Sequence, residues 1–125
     1  HEFGDPKMSL ELIAESLMKV NPKCFPVKSD SANPLLVSSV NNLLPAEQLF
    51  KVKKPQGSVR AGVMWLQSLN GIFIDKLRCP KSYKEFKEYE YVIDKDDVVT
   101  PELPDKENHF IDSTRYAMYE KIKYN

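Results

Sequence analysis

The sequence predicts an α/β fold, a mixed sheet flanked by helices, and three observations carry that expectation. Short apolar runs with strand spacing alternate with segments of helical spacing along most of the chain. The residues between them are those that stop or start elements, among them Asn21-Pro22, Asn33-Pro34 and Asn70-Gly71. The length, 125 residues, supports one hydrophobic core rather than two. With 42% hydrophobic and 29% charged residues, the composition is globular, which excludes collagen-like, coiled-coil and wholly disordered chains.

From Met8 to Val20, Leu10, Ile13, Ala14 and Leu17 recur at helical spacing, with Ser9 as N-cap and Glu11 in the first turn. Phe25 to Ser29 alternates as a short strand that ends before Asp30. Asn33 can cap the next helix and Pro34 suits its first position, with Leu36, Val40, Leu43 and Leu44 as the apolar stripe. Leu49 to Lys53 reads as a second strand. Gly57-Ser58 then opens a helix in which Val59, Val63 and Leu66 share a face. Ile72 to Ile74 is a third apolar run, Pro80 to Glu88 a polar helix, and Tyr89 to Ile93 an aromatic strand. An acidic loop over 94–107 leads to a last helix from Phe110 to Lys123, carrying Ile111, Met118 and Ile122. The predicted order after the first helix is βαβαβαβ, one domain over 1–125, with sites sought at the strand ends where open α/β sheets place them.

Eighteen Lys and Arg balance eighteen Asp and Glu, so overall charge names no partner and any such argument is local. Cys24 and Cys79 form no CxxC pair, which fits a reducing cytosol better than a disulfide scaffold or zinc ribbon. No run approaches the ~20 apolar residues of a membrane span, and no signal peptide opens the chain, so a protein neither secreted nor inserted is expected.

The phosphate-cradling GxxxxGK[ST] loop, GxGxxG and HExxH are absent, so no nucleotide is expected to bind here. The only histidines are His1 and His109, and no GxSxG is present, which disfavours a hydrolytic triad. Carboxylates remain. His109 and Asp112, three apart, are expected on one helix face, after a loop holding Asp105 and Glu107. If Asp30 faces that helix, hard oxygen ligands converge as Mg²⁺ or Mn²⁺ require, and two such ions stabilise the attacking and leaving oxygens of a phosphodiester hydrolysis. On spacing alone the plainer reading is stronger: Asp30 caps a helix while His109 and Asp112 are solvated.

Between Lys51 and Arg60 the basic residues Lys51, Lys53, Lys54 and Arg60 meet no acid, and the stretch crosses a strand-to-helix junction. Amides at the helix start, with Ser58, could hold a phosphate flanked by those cations; an ordinary solvated strand end has the same composition. Trp65, Tyr83, Phe86, Tyr89 and Tyr91 suit core packing better than base stacking.

Three blocks in order, Asp30-Ser31-Ala32-Asn33-Pro34, then Lys53-Lys54-Pro55-Gln56-Gly57-Ser58-Val59-Arg60-Ala61-Gly62, then Asp105 to Ala117 through His109-Phe110-Ile111-Asp112, resemble the C-terminal nuclease domain of tailed-phage and prophage terminase large subunits. The likeness runs from about Glu2 to Tyr119 and includes Arg78-Cys79-Pro80 and Glu85-Phe86-Lys87-Glu88-Tyr89. The order of the blocks favours this family over other ribonuclease H-like enzymes such as transposases or resolvases.

The resemblance implies a ribonuclease H-like sheet, a Mg²⁺- or Mn²⁺-dependent endonuclease with a two-metal site, and a role in cutting concatemeric duplex DNA during packaging. By residue, it implies Asp30, Asp112 and His109 as metal and catalytic groups, and Lys54 and Ser58 on a DNA-contacting edge, to which the basic stretch itself adds Lys51, Lys53 and Arg60. Double-stranded DNA, the terminase ATPase domain, the small terminase subunit and the portal protein are the implied partners, in the cytoplasm of a bacterial host and not at a membrane. The family's first catalytic aspartate lies on a strand that would precede Glu2, so the sheet is expected to be N-terminally truncated, and Asp5, between Gly4 and Pro6, is not expected to replace it. A fragment of this kind is expected to be weak or inactive alone. Because paired carboxylates repel without metal, removing one is expected to leave the fold intact and slightly more stable. The alternative function is a non-catalytic DNA-binding or motor-assembly module.

Overall fold

The structure is a computed structural model that describes Glu2 and residues 7–124, so His1 and Asp5 lie outside the described residues. Ser9 opens helix α1 (Leu10–Val20), its Oγ accepting the Leu12 N–H at 3.1 Å, and the helix buries Ala14 and Leu17 as its periodicity predicts. Strand β1 (Val27–Ser29), helix α2 (Pro34–Asn42) and strand β2 (Leu49–Lys51) form a βαβ unit in which β1 and β2 run parallel, with Val27 opposite Leu49 and Ser29 opposite Lys51. Asn33 caps α2 through the Leu36 N–H at 3.1 Å, and Pro34 occupies its first turn. Ala14, Leu17, Val37, Val40, Leu44 and Leu49 form the core, with Leu10, Ile13 and Val27 against it. The α2 stripe is rotated from the expected one: Val37 is 6% exposed, whereas Leu36 at 37% and Leu43 at 44% face outward. Burial is chosen by where β2 and α1 meet the helix, which local spacing does not encode.

A polar knot fixes the entry to β2. Gln48 is fully buried; its Oε1 accepts from Asn21 Nδ2 at 2.9 Å and its Nε2 donates to Cys24 Sγ at 3.2 Å. The Asn41 amide takes the N–H groups of Gln48 and Leu49 on Oδ1, at 3.1 and 3.0 Å, and gives Nδ2 to the Leu49 carbonyl at 3.0 Å. Buried polar groups of this kind are tolerable because each finds a partner.

Helix α3 (Ser58–Gln67) starts from Gly57, whose φ of 78° is a left-handed conformation that glycine adopts readily. It buries Gly62, Val63 and Leu66, but Val59 is exposed. Helices α4 (Pro80–Glu88), α5 (His109–Ala117) and α6 (Tyr119–Tyr124) follow. Two of these N-termini are satisfied by distant carboxylates. Glu2 accepts the Lys81 and Ser82 N–H groups at 2.9 and 2.7 Å, and Glu85 accepts the Ile111 N–H at 2.7 Å. Helix α5 packs against β1, α3 and α4, and so is the element through which the sheet and the later helices meet.

Three expected elements differ. Residues 72–74 are not a strand: no described strand pairs with them, and Phe73 is 99% exposed. Residues 89–93 form no full strand either; Ile93 bridges Val99, and Val92 exchanges backbone bonds with Thr100 and Glu102, so this segment folds back on the acidic loop 94–107. The last helix is divided at Met118, giving α5 and α6. Strand propensity alone does not make a strand, because pairing needs a neighbour supplied by the tertiary fold.

Candidate metal and DNA-binding site

Asp30 follows the last residue of β1, at the carboxyl end of the parallel pair. Its Oδ1 accepts the Ala32 N–H at 2.9 Å and forms an ion pair with Lys54 Nζ, which comes from just beyond β2. Partial burial pushes the Asp30 carboxyl upward, but the Lys54 and Ala32 hydrogen bonds outweigh it and hold the group below the usual aspartate value. Lys54 is raised, first by its bond to Asp30 and then, against some desolvation, by Tyr116. The ammonium lies 5.5 Å from the Tyr116 ring centroid.

Asp112 stands in the first turn of α5, where the helix dipole favours a carboxylate. Its Oδ1 accepts from Arg115 Nη2 at 2.6 Å, and Arg115 is only 5% exposed. The guanidinium also reaches the Ser58 carbonyl through Nη1 at 3.4 Å, while Nε is buried without a partner. The Arg115 stem crosses α3 at Gly62, where an added Cβ would lie 2.5 Å from Cδ. On the other side Arg115 lies 5.5 Å from the Tyr116 ring. Asp30, Lys54, Tyr116, Arg115 and Asp112 therefore form one seam, in which two acid–cation pairs meet with both cations against the tyrosine. Each carboxylate has a cationic partner, so the expectation that removing one raises stability is corrected: Asp112 neutralises a buried arginine.

His109 and Asp112 line different clefts. His109 is exposed and lines a cleft of about 660 Å³ with Lys81, Lys84, Glu85 and Tyr91, whereas Asp112 lines another of about 450 Å³ with Arg60, Asp105 and Asn108. Three helical positions leave side chains only some 60° apart, by about 100° per residue, while the start of α5 packs against both α3 and α4. The basic residues divide too. Lys53, Lys54 and Ser58 share a cleft of about 150 Å³ with Arg115 and Tyr116; Arg60 faces the Asp112 cleft, and Lys51 lies beside α2 and β2. Tyr89, whose hydroxyl donates to the Pro104 carbonyl at 3.1 Å, is raised by burial and by Asp112 and Asp105, against Asn108 and Arg115.

Among the described residues no three His, Cys, Asp or Glu groups converge to hold a metal ion. The donor chemistry of Asp30 and Asp112 nevertheless fits Mg²⁺ or Mn²⁺: each commits Oδ1 to its ion pair, and such ions accept one or two carboxylates with water and substrate phosphate completing the shell. Arg115 and Gly62 were not singled out by sequence reasoning; the signal for them is the three-residue spacing of Asp112 and Arg115, which is common on any helix.

No family model matches the chain. It is similar to the terminase large subunit of Bacillus phage SPP1, 34% identical over 122 residues, which are 98% of this chain and 29% of that protein. The chain thus spans less than a third of the curated relative's length. Among solved structures it is similar to the g2p (large terminase) nuclease domain of bacteriophage SPP1 with bound Mn, at a TM-score of 0.84 and 34% identity, covering 94% of this chain and 66% of that one. The same architecture, helices around a small parallel sheet of the ribonuclease H-like kind, is common to both.

Proposed function

From the premise that this chain belongs to the nuclease-domain family of bacteriophage terminase large subunits, we propose that it hydrolyses phosphodiester bonds of duplex DNA as the cutting part of a DNA-packaging motor. The observation that carries this reading is the meeting of β1 and α5, which sets Asp30 and Asp112 on one seam. In this reading Asp30 and Asp112 hold Mg²⁺ or Mn²⁺. Bound there, one or two ions would neutralise charge at the scissile phosphate and favour ionisation of the attacking water. Lys53, Lys54 and Ser58, at the start of α3, hold the DNA backbone; Arg60, from the Asp112 cleft, and Lys51, from beside α2, contact it at separate points. His109 acts from the neighbouring cleft as an accessory group that orients the scissile phosphate.

By the same family membership, the substrate is concatemeric DNA and the partners are the ATPase domain, the small terminase subunit and the portal, in the host cytoplasm. Among the described residues no helix is long and apolar enough to cross a membrane. The test is titration of Mn²⁺ into the chain, Asp30→Asn and Asp112→Asn, with plasmid nicking in parallel. Loss of Mn²⁺ binding in both variants supports the reading; no binding by the unmodified chain at millimolar Mn²⁺ sinks the ligand assignment.

A second reading, a non-catalytic DNA-binding or assembly module, draws on the contrast between three DNA-contact candidates, Lys53, Lys54 and Ser58, sharing one cleft and the absence of a three-ligand cluster among the described residues. It requires metal-independent DNA binding that falls steeply with salt.

A further inference from the structure

The geometry points to Arg115 as a positioning residue that fixes Asp112 for the metal, with Gly62 as the surface that aims it. This inference rests on the ligand reading of Asp112 proposed above. Asp30 meets its cation in an exposed pair with a flexible lysine, but Asp112 meets a guanidinium that is almost wholly buried. Burying a cation is unfavourable unless its charge is matched, and a single surface carboxylate could be neutralised without it. Nη2 is committed to Asp112 and Nη1 to the Ser58 carbonyl, so the planar fork ties the first turn of α5 to the first residue of α3. Nε is left buried and unpartnered, so the placement does not optimise the arginine's own hydrogen bonding.

Gly62 explains how the fork is aimed. A Cβ there would lie 2.5 Å from Arg115 Cδ, 3.1 Å from Cγ and 3.6 Å from Cβ, so the whole stem runs against the bare backbone of α3. Glycine is unfavourable inside a helix, and here its use coincides with the crossing of the Arg115 stem. A methyl group there forces the stem to shift, which alters the approach of Nη2 to Asp112. Held through Oδ1 alone, the Asp112 carboxylate keeps one plane and leaves Oδ2 for the ion. Residues that orient metal-binding carboxylates typically contribute about tenfold to a hundredfold in metal affinity.

The experiment titrates Mn²⁺ into the chain and into Asp112→Asn, Arg115→Met, Arg115→Lys and Gly62→Ala, by calorimetry and by the Mn²⁺ electron paramagnetic resonance signal, with circular dichroism confirming that each is folded. The expected result is affinity weakened about tenfold or more in Arg115→Met and Gly62→Ala, with Arg115→Lys between them and the unmodified chain, because lysine restores the charge but not the fork. Unchanged or tighter Mn²⁺ binding in Arg115→Met, with binding lost in Asp112→Asn, overturns the positioning role and leaves the ligand reading standing. If Arg115→Met does not fold, Gly62→Ala and Arg115→Lys decide, and unchanged affinity in both overturns the inference. Wild-type affinity in Asp112→Asn, or no Mn²⁺ binding by the unmodified chain, removes the ligand reading and this inference with it.

Discussion

Lys54 closes an ion pair on the same Asp30 oxygen that accepts the Ala32 N–H, so the carboxylate at the end of β1 already has a cation. That cation is partly exposed, and it competes with a divalent ion for the same charge. Lys54→Met is expected to tighten Mn²⁺ binding by up to about fivefold, the equivalent of an exposed pair worth up to about 1 kcal/mol. Calorimetric titration checks it, and weaker binding would show that Lys54 supports the ion instead of opposing it. Arg115→Met is expected to change affinity in the opposite direction.

The same pair gives a pH signature. Asp30 is lowered, so its contribution is present above the ordinary aspartate value and is lost as pH falls through the folded value, below about pH 4. Lys54 is raised, so its contribution is complete below the ordinary lysine value and is lost as pH rises through its folded value, above about pH 10.5. Between those limits the difference in melting temperature between the chain and Lys54→Met should be flat and small. A difference that varied between pH 6 and 8 would implicate another group.

Asp112→Ala leaves a buried guanidinium without its carboxylate and is expected to destabilise the fold by about 2 kcal/mol, with Asp112→Asn losing roughly half as much because its amide oxygen still accepts from Nη2. Urea denaturation measures both. Combining Asp112→Ala with Arg115→Met should recover part of the loss, since the unmatched charge goes too. Equal stability of all variants would mean that the pair is solvent-screened.

Asn41→Ala removes three hydrogen bonds at the start of β2 and strands buried backbone groups of Gln48 and Leu49, with an expected loss of about 2–3 kcal/mol. Asn42→Ala, one residue on and exposed, is expected to change stability by less than about 0.5 kcal/mol. Thermal or urea unfolding separates the two.

The parts of the fold legible in the sequence were those decided locally. Ser9, Asn33, Pro34, Gly57 and Pro80 mark helix starts by their own chemistry, and α1 buries the residues its spacing selects. Ile72 to Ile74 and Tyr89 to Ile93 carry equally apolar or aromatic runs, yet neither becomes a full strand, because a ladder depends on a distant partner. Asp30 and Asp112 stood out in the sequence by their blocks and their junctions. Their surroundings were less legible: Lys54 meets Asp30 across 24 positions through the pairing of β1 with β2, and Arg115, three residues from Asp112, meets Gly62 across 53 only once α5 lies on α3.

The amide of Asn41 meets Leu49 as the peptide group of a third strand would, giving a donor to its carbonyl and an acceptor to its N–H. β2 is thereby paired on both sides at its first residue, with β1 on one flank and a side chain on the other. An unpaired strand flank is a template for another chain. Losing the Asn41 amide would leave that flank of Leu49 open, so Asn41→Ala is expected to self-associate at concentrations where the unmodified chain stays monodisperse, as light scattering would show.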